Sequence, residues 1–123
     1  MTSITYVGMD VHTTNYTLCC YSVEDDRPFA QIQLKPEYTE ILKYLDRIKK
    51  QRGSDTRFIC GYEAGCLGYS LYHQLTNHGV ECVIMAPTTM PVASGKRVKT
   101  DRKDAENISR CLAYHLYKPV HIP

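Results

Sequence analysis

The spacing of apolar residues changes period several times along the chain, and each change marks an element. Residues 4–11 alternate and are rich in β-branched and aromatic types, which predicts a strand. Residues 16–23 predict a second strand after a short turn at Thr13-Thr14-Asn15. A polar turn at 24–28 leads to a third strand over 29–34. Pro36 then opens a helical pattern, with Tyr38, Ile41, Leu42, Leu45 and Ile48 on one stripe and Gly53 just beyond its end. Residues 57–62 read as a fourth strand. Leu67, Leu71, Tyr72 and Leu75 mark a second helix, stopped at Asn77-His78-Gly79, and residues 80–85 a fifth strand. A loop with Pro87, Pro91 and Gly95 follows. The last helix starts at Asp101, carries Ala105, Ile108, Cys111, Leu112 and Leu116 on one side, and ends before Pro119.

The first three strands have short connections, which predicts an antiparallel meander. The two βαβ units after it need crossovers and a parallel half-sheet. The fold class is therefore α/β: a five-stranded mixed sheet with helices on its faces. A length of 123 residues suits one domain with a single core. We assign residues 1–116 to that domain and read 117–123 as the start of a linker.

Composition changes this picture little. Apolar content of 43% and charged content of 23% are ordinary for a globular domain. No apolar run is long enough to span a bilayer, and the first residues lack a basic, then apolar, export signal. The expectation is a cytoplasmic protein without a membrane partner. The six cysteines form no C-x-x-C pair, and the five histidines form no H-x-x-x-H pair, so a zinc site is not indicated. Reduced, buried thiols are the better reading of Cys19, Cys20, Cys60 and Cys82.

Charge distribution matters more than the net charge of +2. Lys96, Arg97, Lys99, Arg102 and Lys103 form a basic stretch, a candidate for phosphate contacts; the alternative is a solvated loop. Asp101 and Asp104 lie three apart at the start of a helix, on one face. They could cap that helix or bind metal. Asp10 sits near the carboxyl end of the first strand, and Glu63 follows the fourth. Ligands of open α/β sheets gather outside the carboxyl ends of strands. Clustered carboxylates repel and call for cations, and hard oxygen donors select Mg²⁺ or Mn²⁺. Two such ions can clamp the attacking and leaving oxygens of a phosphodiester.

Three blocks carry a resemblance: Val7-Gly8-Met9-Asp10-Val11-His12; Tyr62-Glu63-Ala64-Gly65 with Gly68-Tyr69 and Leu71-Tyr72; and Arg97-Val98-Lys99-Thr100-Asp101-Arg102-Lys103-Asp104-Ala105. With Ala86-Pro87 after the fifth strand, they resemble the N-terminal RuvC-like domain of the DEDD insertion-sequence transposases of the "one-ten" family. The resemblance runs over nearly the whole chain. It implies a ribonuclease-H-like sheet in the order 3-2-1-4-5. It also implies a metal-binding catalytic tetrad of Asp10, Glu63, Asp101 and Asp104, served by Mg²⁺ or Mn²⁺. Implied partners are DNA (element ends and target), a structured guide RNA (the family's bridge RNA) and further copies of the chain in a homo-oligomer. The implied activity is DNA strand cleavage and transfer in transposition, completed by a serine-bearing C-terminal domain outside this sequence. None of the chain's own serines, Ser3, Ser22, Ser54, Ser70, Ser94 and Ser109, stands in a nucleophilic setting. The chain is thus expected to be a fragment, not competent alone.

Three other readings are compatible with the residues. One is a free-standing RuvC-like nuclease that uses water as nucleophile. Another is a non-catalytic nucleic-acid-binding and dimerisation module. The third is the nucleotide-binding version of the fold, for which Gly65 and Gly68 are a weak match.

Overall fold

The computed structural model describes residues 3–65, 68–86 and 105–122. Strand β1 (Ile4–Val11) pairs antiparallel with β2 (Tyr16–Ser22), and β2 pairs antiparallel with β3 (Arg27–Leu34). Helix α1 (Tyr38–Arg52) carries the chain to β4 (Arg57–Glu63), which is parallel to β1. Helix α2 (Ser70–Asn77) leads to β5 (Glu81–Met85), parallel to β4, and α3 (Ala105–Tyr114) is the last helix. The sheet order is β3-β2-β1-β4-β5, the mixed five-stranded arrangement expected from the sequence.

One face of the sheet supports α1 and α2. Val7, Met9, Leu18, Cys20, Cys60 and Tyr62 are buried there with Ile41, Tyr44, Leu45, Ile48, Leu71 and Leu75. The helix stripe is the one read from the sequence, with Tyr44 added. The Tyr44 hydroxyl donates to the Ala30 carbonyl at 2.8 Å and lies 3.0 Å from the Cys20 thiol, so its polar tip is satisfied inside the core. The other face supports α3. Met85, Ile108, Cys111 and Leu112 form a smaller cluster there, flanked by Tyr6, Ile59 and Val83.

Several element ends differ from the sequence reading by a residue or more, and two of them matter here. Strand β3 begins at Arg27 and includes Pro28, paired with Tyr21. Proline is tolerated because β3 is an edge strand and no ladder needs its missing N–H. The β2–β3 ladder shifts register between Leu18 and Cys20, and Ala30 beside it has φ 59, a bulge. Helix α3 stops at Tyr114, because His115 adopts φ 58 and Leu116 N–H donates to the Cys111 carbonyl at 2.9 Å. Leu116, expected on the buried stripe, therefore lies outside the helix and is 48% exposed. Residues 118–120 run beside β5: Ala86 N–H donates to the Lys118 carbonyl, Val120 N–H to that of Ile84, both at 2.8 Å, and Met85 bridges Pro119.

Candidate functional site

The site is built by strand register. Met9 on β1 stands opposite Tyr62 on β4, in the last pair of their parallel ladder. The next residue on each strand is a carboxylate, Asp10 and Glu63. Neighbouring strands lie about 4.8 Å apart, so the two acids begin from adjacent backbone positions. Two residues earlier on each strand are Gly8 and Gly61, themselves a register pair. Strand side chains alternate, so Asp10 and Glu63 share the face of those glycines.

That face is the one under α3, and the glycines explain how α3 reaches it. A Cβ on Gly8 would collide with the Ala105 carbonyl oxygen and the Ser109 nitrogen, and would stand 3.0 Å from the Ile108 carbonyl carbon. Those are backbone atoms that cannot swing aside, so the helix lies directly on β1 only because no side chain intervenes. On Gly61 a Cβ would come within 2.7 Å of Leu112 Cδ2. The first described residue of α3, Ala105, thus packs two positions before Asp10. Ala105 is fully buried, as is Ser109, whose hydroxyl donates to the Glu106 carbonyl.

Asp10 and Glu63 are both half-buried. Asp10 Oδ1 lies 3.1 Å from Nε2 of His12. A carboxylate only accepts, so this contact puts an imidazole proton on Nε2. His12 is the residue that the sequence reading missed. Its signal lies in its place two positions after Asp10 on an extended segment, which directs both side chains to one face.

Asp101, Asp104, Lys96, Arg97, Lys99, Arg102 and Lys103 lie outside the described residues. The structure therefore brings together two of the four expected acids. Among the described residues no three His, Cys, Asp or Glu side chains gather as a metal-binding group. The donor set still suits a hard divalent cation: two carboxylates from adjacent strands, with no thiol in their row. The cysteines of the opposite face are apolar filling. Burial pushes the Cys20 thiol up to about 11 and the Cys82 thiol up to about 12, which keeps both protonated and unreactive.

The sequence model of the DEDD transposases of IS110 type, described as transposase, matches residues 7–123. The chain belongs to the IS110 family of DEDD transposases. It is 32% identical over 107 residues to the transposase for insertion sequence element IS1533 of Leptospira borgpetersenii, covering 87% of this chain and 30% of that protein. It is 42% identical over 66 residues to y4qE of Sinorhizobium fredii, provisionally named a transposase, covering 54% of this chain and 17% of that protein. The IS110-family chain thus spans less than a third of the length of these curated relatives. Its fold is that of RuvC: a solved structure of T. thermophilus RuvC in complex with Holliday junction substrate superposes with a TM-score of 0.57, over 95% of this chain and 99% of that one, at 11% identity. The sheet is accordingly ribonuclease-H-like, as the sequence led us to expect. No helix among the described residues is long and apolar enough to cross a membrane.

Proposed function

We propose that this chain is the metal-binding catalytic domain of a DNA transposase that acts as a site-specific recombinase. The observation that carries the proposal is the placement of Asp10 and Glu63. They occupy the same register on adjacent parallel strands, on the face and at the edge where α3 begins. Asp104 directly precedes Ala105 in the chain and Asp101 stands three positions before Asp104, while Ala105, the first described residue of α3, packs beside Gly8. The four acids would hold Mg²⁺ or Mn²⁺. The bound ions would supply charge stabilisation to a phosphodiester undergoing displacement. Asp10 and Glu63 fix the two sheet-borne donor positions, and His12 orients the Asp10 carboxylate.

Lys96, Arg97, Lys99, Arg102 and Lys103 supply positive charge next to this edge in sequence and are assigned to phosphate contacts. The substrates are DNA, as element ends and target, with a structured guide RNA and further copies of the chain as partners. Strand transfer needs a serine-bearing domain from elsewhere in the full-length protein, joined through the segment that starts at Tyr117. Relatives more than three times as long as the matched region support this division of labour.

Mn²⁺ titration by calorimetry, with Asp10→Asn and Glu63→Gln alongside the unchanged chain, tests the site. We expect binding that either substitution weakens at least about tenfold; equal binding by all three proteins would remove the metal assignment. Mg²⁺-dependent cutting of branched DNA by this chain alone would instead make it a self-sufficient nuclease with water as nucleophile.

A further inference from the structure

The two acids are the middle of a longer row. Asp10 stands directly opposite Thr17 on β2, and Thr17 directly opposite Gln33 on β3. Glu63 stands opposite Met85 on β5. Directly paired residues project to the same face. On the α3 face the order across the carboxyl edge is therefore Gln33, Thr17, Asp10, Glu63, Met85. The next row inward contains Cys19, Gly8, Gly61 and Val83, and α3 lies on it.

The two ends of the row differ. Towards β5 it ends at Met85, which is fully buried and bridged to Pro119. Towards β3 it stays polar and opens to solvent: Thr17 is half-buried and Gln33 exposed. Among the described residues neither side chain is engaged in a hydrogen bond. Both can donate without carrying charge. A lysine in either place would pair with Asp10 and compete with a cation there; a hydroxyl and a carboxamide do not.

We propose that Thr17 and Gln33 form a neutral track that holds the DNA strand as it leaves the carboxylates across β2 and β3. This rests on the reading of Asp10 and Glu63 as the phosphodiester site. Uncharged hydroxyl and amide donors are common partners of phosphate and sugar oxygens. Three strand spacings separate Glu63 from Gln33, about 14 Å. That matches roughly four nucleotides at the 3.4 Å rise of one stacked strand. Bound DNA runs over the meander half of the sheet, away from β5.

The test is fluorescence anisotropy of a fluorescein-labelled four-way DNA junction in Ca²⁺, titrated with the chain over a range of salt. Thr17→Val with Gln33→Leu should weaken binding about tenfold, the loss of two hydrogen bonds. The slope of log Kd against log salt should not change, because no phosphate charge is involved. Thr17→Ser with Gln33→Asn should recover most of the affinity, and His121→Ala, on the β5 side, should bind like the unchanged chain. Equal affinity of the Val/Leu variant, a changed salt slope, an equal loss in His121→Ala, or no binding by the unchanged chain would each overturn the track. Mn²⁺ calorimetry of Asp10→Asn reports separately on the site. Metal loss there with unaltered DNA binding in Thr17→Val/Gln33→Leu removes the track and keeps the metal centre. Metal retention removes the centre, whatever the track variants do.

Discussion

On the face under α1 and α2, the sheet is closed by volume. Aliphatic, thiol and tyrosine side chains from both layers fill the space between them. On the face under α3, it is closed by removal of volume. Gly8 and Gly61 strip the sheet of side chains where the helix crosses, so that at Gly8 backbone rests on backbone and at Gly61 the Leu112 side chain fills the space. The first arrangement tolerates adjustment, because side chains can repack. The second fixes a distance, and it does so two residues from each of the sheet's two candidate ligands. Stability is spread over the filled face, while position is set on the stripped one.

Paired substitutions separate the two roles most sharply. Gly8→Ala and Ile41→Ala should each cost about 3 kcal/mol in denaturant unfolding, the first through overlap with α3 and the second through a cavity. Only Gly8→Ala should also abolish Mn²⁺ binding in the molecules that stay folded, since it pushes α3 off the sheet. Mn²⁺ affinity lost equally in Ile41→Ala would erase the distinction.

A second effect belongs to the filled face alone. Cys20 and Cys82 titrate near 11 and 12 when folded, chiefly because burial disfavours the thiolate, against 9.0 for an unperturbed thiol. Between those values the unfolded chain has lost protons that the folded chain keeps. The stability they contribute is thus complete below pH 9 and falls as pH rises from there towards 11 and 12, by roughly 1 kcal/mol per pH unit per thiol. Unfolding midpoints measured from pH 8 to 11 should drop, and Cys20→Ala with Cys82→Val should flatten the decline. An unchanged slope in that variant would assign the alkaline sensitivity to other groups.

The smallest effect lies at the end of α3. His115 holds the left-handed conformation that ends the helix. His115→Gly should raise stability by about 1 kcal/mol, because glycine adopts that conformation without steric cost. A lower unfolding midpoint would mean that its ring contact with Tyr117, 6.1 Å between centroids, outweighs the backbone gain.

Much of the filled face is legible in the amino-acid pattern alone. Alternation in 4–11 and the stripe of Ile41, Leu45 and Ile48 are direct consequences of which side must be dry. The stripped face is less so, because glycine leaves no hydrophobic pattern, and its meaning emerges only once β1 and β4 are in register. Asp10 and Glu63 stand out because acids inside or just after apolar strands are conspicuous. Thr17 and Gln33 do not: neutral residues on a strand say nothing until the strands on either side are known. The apolar period overextends α3, because Leu116 continues it, whereas the backbone at His115 has already ended the helix.

The hydrogen bonds from Ala86 and Val120 occupy the outer side of β5 at its carboxyl end and, among the described residues, leave β3 as the longer open edge. A sheet open on two sides can add copies of itself without limit, as fibres do. A sheet effectively open on one side can join one other copy, edge to edge about a twofold axis, and is then finished. The few residues after α3 thereby shield the carboxyl end of the β5 edge from such pairing.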